Sequence, residues 1–170
     1  MTLRALLLLL PLLLAGCTGS RQPSSPSPAS PSASPASAAP CRPVVRTDAL
    51  PTWARAGFTG DGDGIPYVMS SAGDILGVLF GTPLNAPPAP DHNNKILWVS
   101  HAPVSGGDLL ITAKRDGTTD TVERKVTGGP GPSIVDLPEA GCWRLTLRWS
   151  GHTDTMDLVY TRPGSAGVTR

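Results

Sequence analysis

Between residues 65 and 161 the apolar residues come in short runs that alternate with polar positions and are broken by Gly and Pro. No segment keeps a helical apolar repeat for three turns, and the runs are rich in β-branched and aromatic residues, so they read as strands. Strands are expected near residues 65–69, 74–80, 95–101, 108–115, 119–126, 133–137, 142–149 and 154–161. About 7–8 strands in about 100 residues predict an all-β chain folded as a single antiparallel β-sandwich. The run Lys95-Ile96-Leu97-Trp98-Val99-Ser100 is apolar on both faces, which marks a central strand.

Two hairpins can be placed in register. Asp116-Gly117 is a type I′ turn signal, and a two-residue loop there pairs Arg115 with Thr118 and sets Ile111 against Val122. For the last hairpin, a two-residue Ser150-Gly151 turn would set Leu147 against Asp154 and bury a carboxylate. A four-residue loop at 150–153 instead sets Leu147 against Met156, Leu145 against Leu158 and Trp143 against Tyr160, and this is the expected register. Trp143, Leu145, Leu147 and Trp149 then face the core, while Cys142, Arg144, Thr146 and Arg148 face outward beside Asp157. The pattern is similar in a general way to immunoglobulin-like folds. Cys142 directly before Trp143 departs from the core cysteine–tryptophan spacing of antibody domains, so nothing further follows from that similarity.

The first forty residues have a different character. A short basic start with Arg4 precedes the apolar run Ala5 to Leu14, followed by Ala15, Gly16 and Cys17. Ten apolar residues rise only about 15 Å as a helix, about half the hydrocarbon thickness of a bilayer, which fits an export leader better than a membrane span. Leu14-Ala15-Gly16-Cys17 resembles the lipobox of bacterial lipoproteins. The resemblance implies cleavage before Cys17, a diacylglyceryl thioether on its sulfur and acylation of the new amino group. Residues 18–40 contain 6 Pro, 8 Ser and 5 Ala, with no aromatic and no large aliphatic side chain. Such a segment cannot offset its ordering entropy by burial, and in polyproline II geometry it would reach roughly 70 Å. Similar tethers are common in lipoproteins of high-GC Gram-positive bacteria. The expected organisation is a signal peptide at 1–16, a lipidated cysteine with a disordered Ser/Pro/Ala linker at 17–40, and a β-sandwich domain at 41–170, which resembles the β-rich domains carried by bacterial lipoproteins.

Charge narrows the partners. Without the leader, 13 Lys and Arg balance 13 Asp and Glu, and no basic stripe or acidic block is visible along the chain, which argues against nucleic acid. The domain keeps two of the 3 cysteines, Cys41 and Cys142. In an oxidising compartment an isolated pair without Cys-x-x-Cys spacing reads as a disulfide, here closing a loop of about 100 residues.

Candidate sites are few. Thr82 to Asn94 is a long loop with four prolines; its Asn85, Asp91, His92, Asn93 and Asn94 form the candidate recognition loop. Asp61-Gly62-Asp63-Gly64 invites a calcium reading for Asp61 and Asp63, but in EF-hand register the end ligands would be Thr59 and Ser70, so a turn explains it better. His92, His101 and His152 lack metal-ligand spacing, and no catalytic serine or cysteine motif is present. Gly128 to Pro132 lacks the Lys-Ser/Thr and helix of a phosphate loop. No cofactor is expected.

The reading is a non-catalytic binding or accessory module, held by its lipid on the extracytoplasmic face of the cell membrane. In a cell with two membranes, the lipoprotein resemblance implies the outer one, because Thr18 stands where an Asp commonly marks inner-membrane retention. Its partner would be an envelope protein or glycan. The competing reading is an envelope hydrolase or a metal-dependent structural protein.

Overall fold

The computed structural model describes residues 40–91 and 93–164; the leader, Cys17, the tether through residue 39 and His92 lie outside them. Ten strands form, β1 (Val45–Arg46), β2 (Tyr67–Met69), β3 (Ile75–Leu79), β4 (Leu84–Asn85), β5 (Lys95–Ser100), β6 (Leu109–Arg115), β7 (Thr121–Val126), β8 (Pro132–Ile134), β9 (Gly141–Trp149) and β10 (His152–Thr161). Sheet one has the order β1-β2-β3-β5-β8 and is antiparallel. Sheet two has the order β4-β10-β9-β6-β7 and is antiparallel apart from the parallel β4–β10 pair at its edge. The chain is an all-β sandwich. Every expected strand is present, and β1 and β4 are additional two-residue edge strands. Pro132 opens β8, an edge position where a strand tolerates the missing N–H.

Alternation places the core. Trp143, Leu145, Leu147 and Trp149 of β9 are all at most 2% exposed and meet Ile96 and Trp98 of β5 between the sheets. Each buried indole N–H has an acceptor: Trp98 donates to Ser133 Oγ at 3.0 Å, Trp149 to Ser100 Oγ at 2.8 Å and Trp143 to the Glu139 carbonyl at 2.9 Å. Without those acceptors the burial of three indoles would leave three unpaired donors in an apolar interior.

A second cluster covers the outer face of sheet one. Leu50, Ala54 and the partly buried Trp53, Phe58 and Ile65 come from the excursion between β1 and β2 and pack on Tyr67, Leu76 and Val78. Leu97 and Val99 of β5 join this cluster, while Ile96 and Trp98 face the main core. That is why β5 is apolar on both sides, and it lies between β3 and β8. Gly62 holds the excursion down. It is buried at φ 75°, and a Cβ there would lie 2.6 Å from Leu50 Cδ1. Gly62→Ala is expected to cost about 2–3 kcal/mol, from the left-handed backbone plus displacement of a core leucine. Urea unfolding checks this, and a cost below about 0.5 kcal/mol, the range of a neutral surface change, would contradict it.

Both hairpins differ from the expected register by two residues. At the first, Ala113 rather than Ile111 opposes Val122, and Arg115 N–H donates to the Asp120 carbonyl across a four-residue loop. That loop is held by Thr118, whose hydroxyl donates to the Arg115 carbonyl and accepts from Asp120 N–H, and by the Arg115–Asp120 ion pair. At the last hairpin the order is reversed: the loop is the two-residue Ser150-Gly151 turn, and Leu147 does oppose Asp154. Ser150 and Gly151 take φ of 47° and 82°, the left-handed pair a type I′ turn needs. The buried carboxylate that argued against this register is satisfied from elsewhere, by the turn between β2 and β3 described below. A shift of two residues preserves facing, so the core and outward rows of β9 are as expected.

Candidate functional site

Cys41 and Cys142 form a disulfide with Cα atoms 6.0 Å apart. Cys142 lies in the outward row of β9, beside Val159 of β10. The bridge therefore fastens the first described segment across the outer face of sheet two. Arg42 N–H adds a 2.8 Å bond to the Asp157 carboxylate.

The candidate recognition loop divides into a buried frame and an exposed tip. Asn85 and Asn94 are 3% and 1% exposed. The Asn94 side-chain amide accepts from Asn85 N–H at 2.7 Å and donates to the Asn85 carbonyl at 2.8 Å, taking the place of a neighbouring strand along β4. It also donates to Asp136 at 2.8 Å. These two asparagines hold the loop closed, which leaves Asp91 and Asn93 on the surface. Beside the loop, Thr82, Pro83 and Leu84 join Val45, Leu79 and Val159 in an apolar groove of about 340 Å³ at one open edge of the sandwich.

Asp61 and Asp63 are exposed, and the Asp61 carboxylate accepts from Asp63 N–H at 3.2 Å, a local turn bond. Among the described residues no group of three or more His, Cys, Asp and Glu side chains comes together to hold a metal. His101 stacks on Trp53 with ring centroids 4.9 Å apart, and His152 lies 5.6 Å from the Trp149 ring. Asp154, a conceivable partner for either histidine, is committed elsewhere. It accepts from Ser70 Oγ and from the backbone N–H groups of Ala72, Asp74 and Thr155.

Among the described residues, the outer face of sheet two lacks the apolar roof that covers sheet one. Its side chains form rows across the strands. Lys125, Leu110, Arg148 and Thr153 make one row, Glu123, Thr112, Thr146 and Thr155 the next, and Thr121, Lys114, Arg144 and Asp157 the third. Two open grooves of about 390 and 520 Å³ lie on this face and share Thr112. The linings of the two together contain six cationic side chains and two anionic ones, in a chain whose net charge is only +1. Arg144 is held in place by a fork to Asp157 at 2.9 and 3.1 Å, which raises the guanidinium pKa. Lys125 pairs with Asp108 at 3.1 Å. Asp108 is held below the usual carboxylate range by Gly128 N–H first and by Lys125 second. Among the described residues, Lys114 and Arg148 pair with no carboxylate.

This basic face is the feature that sequence reading missed. Its cations lie on β6, β7 and β9 in runs of no more than two, Lys114-Arg115, Arg124-Lys125, Arg144 and Arg148, so no stripe shows until the strands pair. The available signal was the outward row Arg144, Thr146, Arg148 read together with Lys114 and Lys125. No family model, curated protein or solved structure matches this chain.

Proposed function

We propose that the chain is a lipid-anchored, extracytoplasmic module that binds a component of the cell envelope without transforming it. The observation that carries this reading is the outer face of sheet two, which beyond the Cys41–Arg42 segment carries no roof among the described residues and holds two grooves, in a sandwich whose other outer face is roofed. A polar, grooved face without a roof is a surface free to meet a partner, whereas the described histidines lie against tryptophan rings and Asp154 serves the backbone. The lipobox Leu14-Ala15-Gly16-Cys17 and the Ser/Pro/Ala tether supply the attachment. Two acyl chains hold a protein at a bilayer where one holds it only transiently.

Two measurements test this. Growth with a palmitate analogue should label the chain, and Cys17→Ser should abolish the label and release the chain from the membrane fraction. The released Cys17→Ser chain should then sediment with membrane-free envelope material. Undiminished labelling of the serine variant would remove the anchor, and a chain that stays wholly in the supernatant would remove the binding role.

A further inference from the structure

Resting on the reading of the domain as an envelope-binding module, we propose that the outer face of sheet two is a site for a linear acidic glycan whose negative charges are carboxylates. The two ends of the face carry the cations. Lys114 lies opposite Arg144 at one end, and Arg148 and Lys125 lie on either side of Leu110 at the other. Arg144 and Arg148 are four residues apart on one strand, so the two ends are about 13 Å apart. Between them Thr112 pairs with Thr146 and Thr146 with Thr155, a rank of hydroxyls that both donate and accept. Glu123 stands at the β7 edge of this middle row, and the two cationic ends with hydroxyls between them match a sugar chain that carries an acid at intervals and hydroxyls in between.

The same face already shows how it holds a carboxylate, in the two-point contact of Arg144 with Asp157. Arg148 offers an identical fork with no carboxylate partner among the described residues, and Lys114 offers a free ammonium. A bidentate guanidinium contact is the strong form of carboxylate recognition. Other polyanions fit less well. No aromatic side chain stands in these rows to stack nucleobases. Leu110 is the one large apolar side chain exposed in either groove, too little to enter a lipid surface.

The test uses the intact Cys17→Ser chain and immobilised polygalacturonate. Neutral dextran, phosphatidylglycerol vesicles and oligothymidylate serve as comparison surfaces. The chain is expected to bind polygalacturonate in a salt-sensitive way and dextran hardly at all. Lys114→Ala with Arg148→Ala should weaken binding about tenfold or more, as expected for two lost charge-assisted contacts. Thr146→Val should weaken it by a smaller factor, and Lys95→Ala, on sheet one, should leave it unchanged. Equal binding to dextran, tighter binding to vesicles or oligothymidylate, or an undiminished double variant would overturn the proposal. If the double variant still sediments fully with envelope material, the acidic-glycan site falls while the binding-module reading stands. If no variant, and not even the Cys17→Ser parent, sediments, both fall.

Discussion

Replacing Cys41 or Cys142 by serine is expected to lower the unfolding free energy by about 4 kcal/mol, close to the chain-entropy value for cross-linking a loop of this length. The bridge joins residues 101 apart in sequence. Without it, the unfolded chain gains the freedom of that whole loop. Little else holds the segment before β1. Arg42 N–H bonds Asp157, Cys41 N–H makes a long 3.4 Å contact to Asp116, and β1 itself is two residues on a sheet edge. Loss of the bridge should therefore fray residues 41–46 first and expose Val44 and Val45 further. The midpoint of thermal unfolding should drop by about 10–15 °C, and the urea m-value should rise because the unfolded state is less compact. Wild-type protein unfolded in dithiothreitol should match the serine variants. A loss under about 1 kcal/mol, below the usual range for a native disulfide, would show that the segment is held by other contacts. The bridge also sets geometry. Cys142 is two residues from Arg144, so the chain leading from the proposed anchor joins the domain at the edge of the basic face.

The strands were legible because facing is a local property. Trp143, Leu145, Leu147 and Trp149 alternate with Cys142, Arg144, Thr146 and Arg148, and burial alternates with them. Register was not legible, because each loop rests on specific polar bonds, some from outside its own hairpin, that the apolar pattern does not show. The first loop takes four residues while Asp116 N–H bonds the Cys142 carbonyl on β9. The last takes two because the turn after Met69 supplies donors to Asp154 from more than 80 residues away. The candidate loop shows the same limit in a side chain. Asn85 and Asn94 are polar and lie among prolines, a composition that suggests a surface, yet their amides complete backbone bonds inside the fold. The cations of the basic face were visible one at a time, and only strand pairing makes them neighbours.

Asp154→Ala is expected to cost about 3–4 kcal/mol, because it leaves several donors without an acceptor rather than one. Asp154 is 5% exposed. One carboxylate oxygen accepts from Ala72 N–H at 3.0 Å and Thr155 N–H at 2.7 Å, and the other from the Ser70 hydroxyl and Asp74 N–H at 3.3 Å. Ser70 Oγ in turn accepts from Ile75 N–H at 3.2 Å, so the network fixes the whole turn joining β2 to β3 against β10. Asp154→Asn should cost nearly as much as alanine. In either orientation its NH2 group confronts a backbone N–H, that of Asp74 on one side or those of Ala72 and Thr155 on the other. Burial is the largest influence on the Asp154 pKa and raises it; the four hydrogen bonds together outweigh burial, and the net pKa is lowered. The sign follows from linkage. A depressed folded-state pKa contributes stability that is full above the unfolded-state value of about 3.9 and fades as pH falls through the lower folded value. Urea midpoints at pH 7 and pH 3 should thus fall more for the wild type than for Asp154→Asn. Equal acid sensitivity of the two proteins, or an asparagine variant as stable as the wild type at pH 7, would mean that the carboxylate does not hold this turn.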